Sequence, residues 1–300
     1  MLLAEPALLP PVSARKVSAH QRVDGATRVE FSAAGGTTRL ADLYQRAPCR
    51  VLFPDVDADE PRQAVLLTTS GGLTGGDRLQ TDVIANAGAC ATLTSQAAEK
   101  IYRALPGDDA ARIGVRIAAA AGAYVEYLAQ ETILFDGARL RRHLDADLAP
   151  GARLLAVESL VFGRGAMGEA LRSGFVHDAW RIRRGGRLIF ADALHLDGLH
   201  FDGEAAALRA APFGFGTATA CATLIYAAED APALLAPVRA SLGEANVPPI
   251  AHATTREQML IVRLLADDAA ALRQVVIQVA ALIRTLAAGL PRRLPQVWYC

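Results

Sequence analysis

The sequence predicts a mainly β protein, α+β overall, in which stacked or helical-type sheets are followed by helices near the C-terminus. Two patterns indicate this fold. Short apolar segments separated by glycine turns recur through the first two-thirds, and apolar residues at helical spacing mark the last third. The 300 residues, 52% of them hydrophobic, can bury a large core. We expect one domain, with a β-rich body over about 12–228 and a helix-containing part over about 229–300.

The N-terminal elements follow from alternating polarity and from turn residues. Arg28–Ser32 alternates between polar and apolar residues, Gly35-Gly36 interrupts it, and Arg50–Phe53 forms the next apolar segment. Residues 54–61 are rich in Asp and Pro and are predicted to form a loop.

A glycine turn recurs between about residues 63 and 196. The turns are Gly88-Ala89, Gly122-Ala123, Gly151-Ala152 and Gly186-Arg187, and an apolar segment follows each one. Because glycine supplies the positive φ of tight hairpins, we expect antiparallel strand pairs. The spacing is irregular, so either a degenerate structural repeat or the ordinary turns of a large β protein would explain the pattern.

The last third alternates strands with helices. Thr217–Ala227 and Gln258–Leu265 are predicted strands. A helix is predicted from Asp230 to Gly243, and a second from a cap at Asp267-Asp268 to about Ala288. We expect both helices to cover an open face or edge of the sheets.

Composition excludes several classes of protein. Lys+Arg and Asp+Glu are both 31, so no net positive charge drives nonspecific nucleic-acid binding, and the apolar content excludes a disordered chain. Residues 1–12 do not resemble a signal peptide, and Val275–Leu290, which contains Arg284, is too short to span a bilayer. The four cysteines are widely separated, which indicates neither a zinc knuckle nor a disulfide framework. We expect a cytoplasmic protein.

The most unusual segment is the glycine loop, Ser70–Asp77, in which four of eight residues are glycine. A phosphate cradle would need a helix directly downstream, but Leu79, Thr81 and Val83 alternate as in a strand, and the P-loop lysine is missing. A turn whose backbone closely approaches a neighbouring loop is the interpretation we favour. Small-ligand or nucleotide binding by Gly71–Asp77 is the alternative function.

Four segments in order resemble the family of the urease accessory protein UreD, called UreH in some organisms. They are Gly71–Asp77, Leu93–Arg103, Tyr127–Phe135 and Glu158–Glu169, and Pro291–Trp298 is similar to the family's closing stretch. The sequence departs from the family pattern at Ala129, where proline is usual, and at Thr69-Ser70, which replaces Pro-Pro.

The resemblance implies a scaffold without enzymatic activity. UreD proteins join apo-urease with UreF- and UreG-type partners and assist nickel delivery to the urease active site. It therefore implies transient contact with Ni²⁺, no tightly bound cofactor, and neither nucleic acid nor membrane as a partner. It also implies a β-rich, partly helical fold.

The resemblance also marks candidate site residues. The motif and partner-binding candidates are Gly71, Gly72, Gly75, Gly76, Asp77, Gln96, Lys100, Tyr102, Gly163 and Arg164. The candidates for lining a nickel channel are the carboxylates Glu131, Asp136, Glu158 and Glu169. A structural ion pair is the other role for these acids, and it is the role that we favour for Glu158, with Arg164 as the expected partner.

Other polar groups carry weaker signals. Lys100, one of two lysines, is expected to share a strand face with Gln96. An ordinary exposed lysine is the favoured interpretation, and a lysine that braces the glycine loop or meets a partner is the alternative. His195–Asp202 is predicted to be a polar loop with a possible surface metal site as the alternative, and His177 is isolated. Two clusters, Arg139–Arg142 and Arg181–Arg187, suit solvated sheet edges; a nucleic-acid groove would need interleaved aromatics.

Overall fold

The computed structural model describes residues 21–198, 211, 214–243 and 250–300. Within them lie eighteen strands and two α-helices, with short 3₁₀ turns at Gly165–Met167, Ala231–Leu234 and Gln296–Tyr299. The strands are β1 (Asp24–Ala34), β2 (Thr37–Arg46), β3 (Cys49–Leu52), β4 (Arg62–Thr68), β5 (Arg78–Ala85), β6 (Cys90–Ser95), β7 (Glu99–Ile101), β8 (Ala111–Ala119), β9 (Tyr124–Leu128), β10 (Thr132–Leu134), β11 (Ala138–Leu148), β12 (Arg153–Arg164), β13 (Glu169–Ala170), β14 (Gly174–Arg184), β15 (Arg187–Gly198), β16 (Ala220–Ala227), β17 (Ile250–Arg256) and β18 (Met259–Ala266). The helices are α1 (Leu235–Gly243) and α2 (Ala269–Ala288).

The strands form two sheets, which confirms the mainly β fold. Sheet I has seven strands in the order β15-β14-β11-β8-β5-β1-β2. Sheet II has eleven strands, eight of them in the order β17-β18-β16-β12-β9-β6-β4-β3. Three short strands complete sheet II, because β10 pairs with β12 and β7, and β13 pairs with β12.

The central strand pairs are parallel, so the prediction of antiparallel pairs was wrong there. β5, β8, β11 and β14 are parallel neighbours in sheet I, and β4, β6, β9 and β12 are parallel neighbours in sheet II. Successive long strands from β4 to β12 alternate between the sheets. Each sheet therefore collects every second strand in the same direction. The pair joined at Gly186-Arg187, β14 and β15, is an antiparallel hairpin as predicted.

Three of the four predicted glycine turns are corners between the sheets. Gly88, Gly122 and Gly151 have nearly equal φ angles of +72°, +72° and +74°. The corners stack on one another: Gly88 N donates to Ala121 O at 3.1 Å, and Tyr124 N donates to Ala89 O at 2.8 Å. The recurrence is thus a degenerate structural repeat in which each corner packs on the next.

The core has two main layers. One lies between the sheets and includes Phe31 and Ile117 of sheet I and Leu154 of sheet II. The other lies between sheet II and the helices, where Leu224 meets Val276. Sheet II is therefore covered on both faces, whereas the outer face of sheet I carries polar side chains.

The two C-terminal helices cover sheet II, as predicted. Asp268 caps α2 by accepting hydrogen bonds from the amides of Ala270 and Ala271, and Gly289, with φ +64°, ends it. By length and composition this helix of the described chain could cross a membrane. Here its apolar face packs on the sheet, and Arg284 near its C-terminal end is fully buried in ion pairs. It is therefore a core helix.

Candidate functional site

The four segments of the family pattern meet at one end of the molecule. Leu73 of the glycine loop forms a parallel bridge with Ile101. Ile101 pairs with Leu134 of β10, and Leu134 pairs with Phe162 of β12. All four side chains are buried in one small core cluster. Segments that are far apart in sequence therefore form a single ladder.

The glycines of the loop allow close approach to the segment 99–109. A Cβ on Gly72 would lie 2.7 Å from Lys100 O, and a Cβ on Gly75 would lie 2.8 Å from Asp109 O. Asp77 is buried and closes the loop, because its carboxylate accepts hydrogen bonds from Val23 N and Thr74 N at 2.8 Å each. The predicted close approach to a neighbouring loop is confirmed.

Four amides of the loop donate within the protein, which argues against a phosphate cradle. Thr74 N donates to the Asp77 carboxylate, Leu73 N to Lys100 O, Gly76 N to Asp109 O, and Asp77 N to Thr74 O. The element that follows is strand β5 and not a helix. The loop therefore lacks the helix N-terminus that would hold an anion.

A half-buried stack of side chains lies over this ladder. The Tyr102 and Phe135 rings meet edge to face, with centroids 5.0 Å apart, and the Tyr102 hydroxyl donates to Gly71 O. The Arg164 guanidinium lies 4.2 Å from the centre of the Phe135 ring and forms an ion pair with Glu169. Gly163, with φ +95°, permits this turn, because a Cβ there would clash with Glu169 O. We call Tyr102, Phe135, Arg164 and Glu169 the aromatic stack.

Gln96 and Lys100 do not share a strand face, contrary to the prediction. Gln96 follows β6, and Lys100 lies in β7. Lys100 braces the glycine loop through its carbonyl, which accepts from Leu73 N at 2.8 Å, while its side chain is exposed. Both residues border a cavity of about 280 Å³ between the sheets, which Glu99 and Gly71 also line. We call it the Glu99 cavity.

A buried ion cluster lies deeper between the sheets. Arg142 donates from Nε to Asp178 Oδ1 at 2.8 Å and from Nη2 to Asp178 Oδ2 at 2.6 Å. Its Nη1 donates to Thr132 Oγ1 at 3.0 Å, and Glu158 Oε1 lies 3.5 Å from Nε. The expected partner of Glu158, Arg164, lies elsewhere, so that pairing was wrong.

Glu158 is unlike the other buried glutamate, Glu126. The Glu126 carboxylate accepts hydrogen bonds from Thr92, Tyr124 and Arg284. Neither Glu158 oxygen accepts a hydrogen bond from the described part of the chain, although the residue is only 3% exposed. Burial raises the pKa of Glu158 to about 8, with Arg142 opposing and Asp178 reinforcing the shift.

A second cavity adjoins this cluster. It measures about 350 Å³ and is lined by Glu158, Asp178 and Cys221, and it reaches the exposed side chain of Arg263. We call it the Cys221 cavity. Burial raises the pKa of the Cys221 thiol to about 12, so the thiol stays protonated near neutral pH.

The other three channel candidates have partners that explain them structurally. Glu131 accepts from Arg273 Nη1 at 2.8 and 2.7 Å, and Glu169 pairs with Arg164 at the surface. Asp136 accepts from Arg172 N and Ser173 N at 2.9 Å each and from Arg103 Nη2 at 2.9 Å. Burial opposes ionisation of Asp136, but these donors together lower its pKa below the ordinary value.

The sequence pattern assigns no role to Asp178, and the prediction that Arg142 is solvated was wrong, because Arg142 is buried. Arg139 and Arg141 do lie on the outer face of β11, where both guanidiniums stack on Phe175, but Arg142 points inward. The signal available was the alternation of β11, which puts Arg142 in register with the apolar positions Leu140 and Leu144.

Among the described residues, no three His, Cys, Asp or Glu side chains are placed to hold a metal ion together. His195 lies in strand β15 rather than in a loop, and its Nδ1 is 3.2 Å from Nδ1 of His177, which is therefore not isolated. His200 and Asp202, the other half of that predicted surface site, lie outside the described residues, as does Lys16.

The closing segment is structural. Trp298 is 2% exposed and donates from its ring nitrogen to Thr94 Oγ1 at 3.0 Å. Arg273 lies over its ring and donates to its carbonyl at 2.8 Å. These contacts fasten the C-terminus to sheet II.

Comparison with known proteins agrees with the pattern of these segments. The family model of the UreD urease accessory protein matches residues 23–299. The urease accessory protein UreD of Rhizobium etli is 42% identical over 278 residues, 93% of this chain and 96% of that protein. The UreD proteins of Rhizobium rhizogenes and Magnetococcus marinus are 43% and 41% identical over 278 and 281 residues, again 93% of this chain and 96% and 94% of theirs.

The family match places the protein among accessory scaffolds without enzymatic activity. More specifically, the chain belongs to the UreD family of urease accessory proteins, which take part in urease maturation and nickel incorporation. The resemblance carried by the sequence motifs is thereby confirmed.

Proposed function

We propose that this chain works in the cytoplasm as a scaffold that binds apo-urease and UreF- and UreG-type partners and gives Ni²⁺ a polar path between its two sheets. The observation that carries the path is Glu158, whose buried carboxyl group has no hydrogen-bond donor among the described residues and faces the Cys221 cavity beside Asp178. Carboxylates bind Ni²⁺ weakly enough to release it, which suits transfer better than storage.

The mouth of the path is the Glu99 cavity. Gly71, Gln96 and Lys100 line this cavity, and Gly71 also accepts the hydroxyl of Tyr102 from the aromatic stack. A partner that docks on the stack would therefore stand beside the cavity mouth. This placement supports a role for the matched segments in partner binding as well as in nickel entry.

The experiment is co-expression of urease and its accessory proteins with Glu158→Gln or with Glu257→Gln, a control that alters a surface glutamate paired with Arg187 away from both cavities. Pull-down through urease measures assembly, and urease activity measures maturation. We expect both variants to assemble, Glu158→Gln to reduce activation severalfold, and Glu257→Gln to activate normally. Normal activation by Glu158→Gln would refute the path at that residue.

Partner docking has a separate test. Tyr102→Ala removes the half-buried side chain that joins the glycine loop to the stack, whereas Tyr44→Ala removes an exposed tyrosine from sheet I. We expect Tyr102→Ala to weaken capture of the UreF-type partner and Tyr44→Ala to leave it unchanged. Equal capture by both variants would exclude the stack from the interface.

A further inference from the structure

The buried ion cluster separates the two cavities. Arg142 belongs to the wall of the Glu99 cavity, and the carboxylates of Glu158 and Asp178 belong to the wall of the Cys221 cavity. The Arg142 guanidinium holds Asp178 with two hydrogen bonds of 2.8 and 2.6 Å, and its Nε is 3.5 Å from Glu158. A cation that moves from one cavity to the other along this line meets the guanidinium.

We propose that Arg142 is a charge gate in the nickel path, and that a divalent cation passes by displacing the guanidinium from Asp178, beside Glu158. This inference rests on the path proposed above. A guanidinium is always charged in a protein and repels a cation in a poorly solvated interior. Asp178, which the guanidinium neutralises, and Glu158, whose Oε1 lies 3.5 Å from Arg142 Nε, carry the kind of oxygen ligand that Ni²⁺ accepts, so guanidinium and cation compete for this site.

The contacts of Arg142 allow it to give way. Its third anchor is Thr132 Oγ1, which also lines the Glu99 cavity, so there is space on that side for the side chain to turn into. Arg284 is the contrast: it is fully buried and donates to Glu60, Glu126 and the carbonyl of Arg293. Every Glu126 oxygen is satisfied there, whereas the Glu158 oxygens still lack a donor in the described chain.

The first test measures Ni²⁺ binding to the purified full-length chain by equilibrium dialysis. We expect Arg142→Met to bind Ni²⁺ at least tenfold more tightly than the unaltered chain, because the carboxylates lose their competitor. Adding Asp178→Asn to that variant should abolish the gain. Arg273→Met, which frees only the single carboxylate of Glu131, is the matched control and should show no gain. An Arg142→Met chain that folds and binds Ni²⁺ no more tightly would overturn the gate.

Arg142→Met leaves two buried acidic side chains without their cation, so its folding has to be verified by circular dichroism. A second measurement avoids this risk because it uses the unaltered chain. Crystals of the unaltered chain, soaked in millimolar NiCl₂, are measured at the nickel absorption edge. We expect a nickel peak between Glu158 and Asp178, with Arg142 turned toward the Glu99 cavity. No nickel at the cluster, or nickel there with Arg142 still on both Asp178 oxygens, would overturn the gate.

The outcomes separate the gate from the path. If Glu158→Gln activates urease normally, the path itself fails, whatever Arg142 does. If Glu158→Gln reduces activation while Arg142→Met leaves Ni²⁺ affinity unchanged, the path stands and the gate fails.

Discussion

Glu158 differs from the other three channel candidates because neither of its oxygens accepts a hydrogen bond within the described chain. Glu131, Asp136 and Glu169 each accept a hydrogen bond from a guanidinium, and Asp136 has backbone donors as well. Leaving a buried acceptor without a hydrogen bond costs about 1–3 kcal/mol of stability. Stability therefore does not explain a glutamate at position 158, and the proposed nickel path gives this residue a role.

Asp136 is a carboxylate with a structural role, and its negative charge should stabilise the folded protein to an extent that depends on pH. We expect Asp136→Asn to lower the free energy of unfolding by about 1–2 kcal/mol at pH 7, because its donors favour the ionised carboxylate. The folded-state pKa lies below the ordinary 3.8, so this contribution is present above that pH and is lost as pH falls through the folded-state value. Urea denaturation from neutral to acid pH checks this, and a difference between variant and parent that stays constant in acid would contradict it.

The sequence predicts the buried position of Glu158 but not its partners. An apolar segment before Glu158 indicates burial, and Arg164 is the nearest cation along the chain. The actual neighbours, Arg142 and Asp178, come from β11 and β14 of the opposite sheet. Which inward residues meet across two sheets depends on sheet stacking, and no local pattern encodes it.

At the scale of elements, the sequence predicts the positions of strands and helices but does not predict which strands pair. The cap at Asp268 and the stop at Gly289 bound α2 as the sequence predicts. The sequence pattern of a strand, a glycine turn and a second strand is the same in two cases. The second strand can return in the same sheet as a hairpin, or it can cross to the other sheet at a corner. Gly186-Arg187 makes a hairpin and Gly122-Ala123 a corner, and the difference lies in the tertiary packing.

The glycine loop gives a prediction at this scale. Gly72→Ala should destabilise the protein by about 2–4 kcal/mol, because its Cβ would lie 2.7 Å from both Lys100 O and the Tyr102 ring. Gly35→Ala, at φ +59° with nothing within 4 Å of its Cβ, isolates backbone strain and should cost about 1 kcal/mol. Denaturant unfolding compares the two. If both variants lost the same free energy of unfolding, the close approach of Gly72 to Lys100 and Tyr102 would not be the reason that the loop needs glycine there.

At the scale of the whole molecule, the structure explains the high mean hydropathy, and the net charge bears on association between copies of the chain. The mean hydropathy of +0.23 reflects a sheet covered on both faces, by sheet I and by the helices. Apolar side chains also remain exposed near the matched segments, with Leu105 48% and Met167 75% exposed. A net charge of zero offers little repulsion between copies.

We therefore expect the isolated chain to self-associate and its complex with a UreF-type partner to stay dispersed. Sedimentation velocity over a range of concentrations, with and without the co-purified partner, measures this. The double variant Leu105→Ser with Met167→Ser should reduce self-association of the lone chain. A lone chain that stays monomeric at high concentration would contradict the expectation.

The most direct test of the account is the nickel content of urease matured with the interior path obstructed. Thr81 lines the Glu99 cavity, and Thr81→Phe fills part of its 280 Å³ without altering any carboxylate. Gln80→Phe, on the opposite face of the same strand, is the control. Nickel per active site is measured by mass spectrometry on urease from assemblies that pull-down shows to be intact. The account predicts clearly reduced nickel with Thr81→Phe and normal nickel with Gln80→Phe; full nickel loading with Thr81→Phe would contradict a path between the sheets.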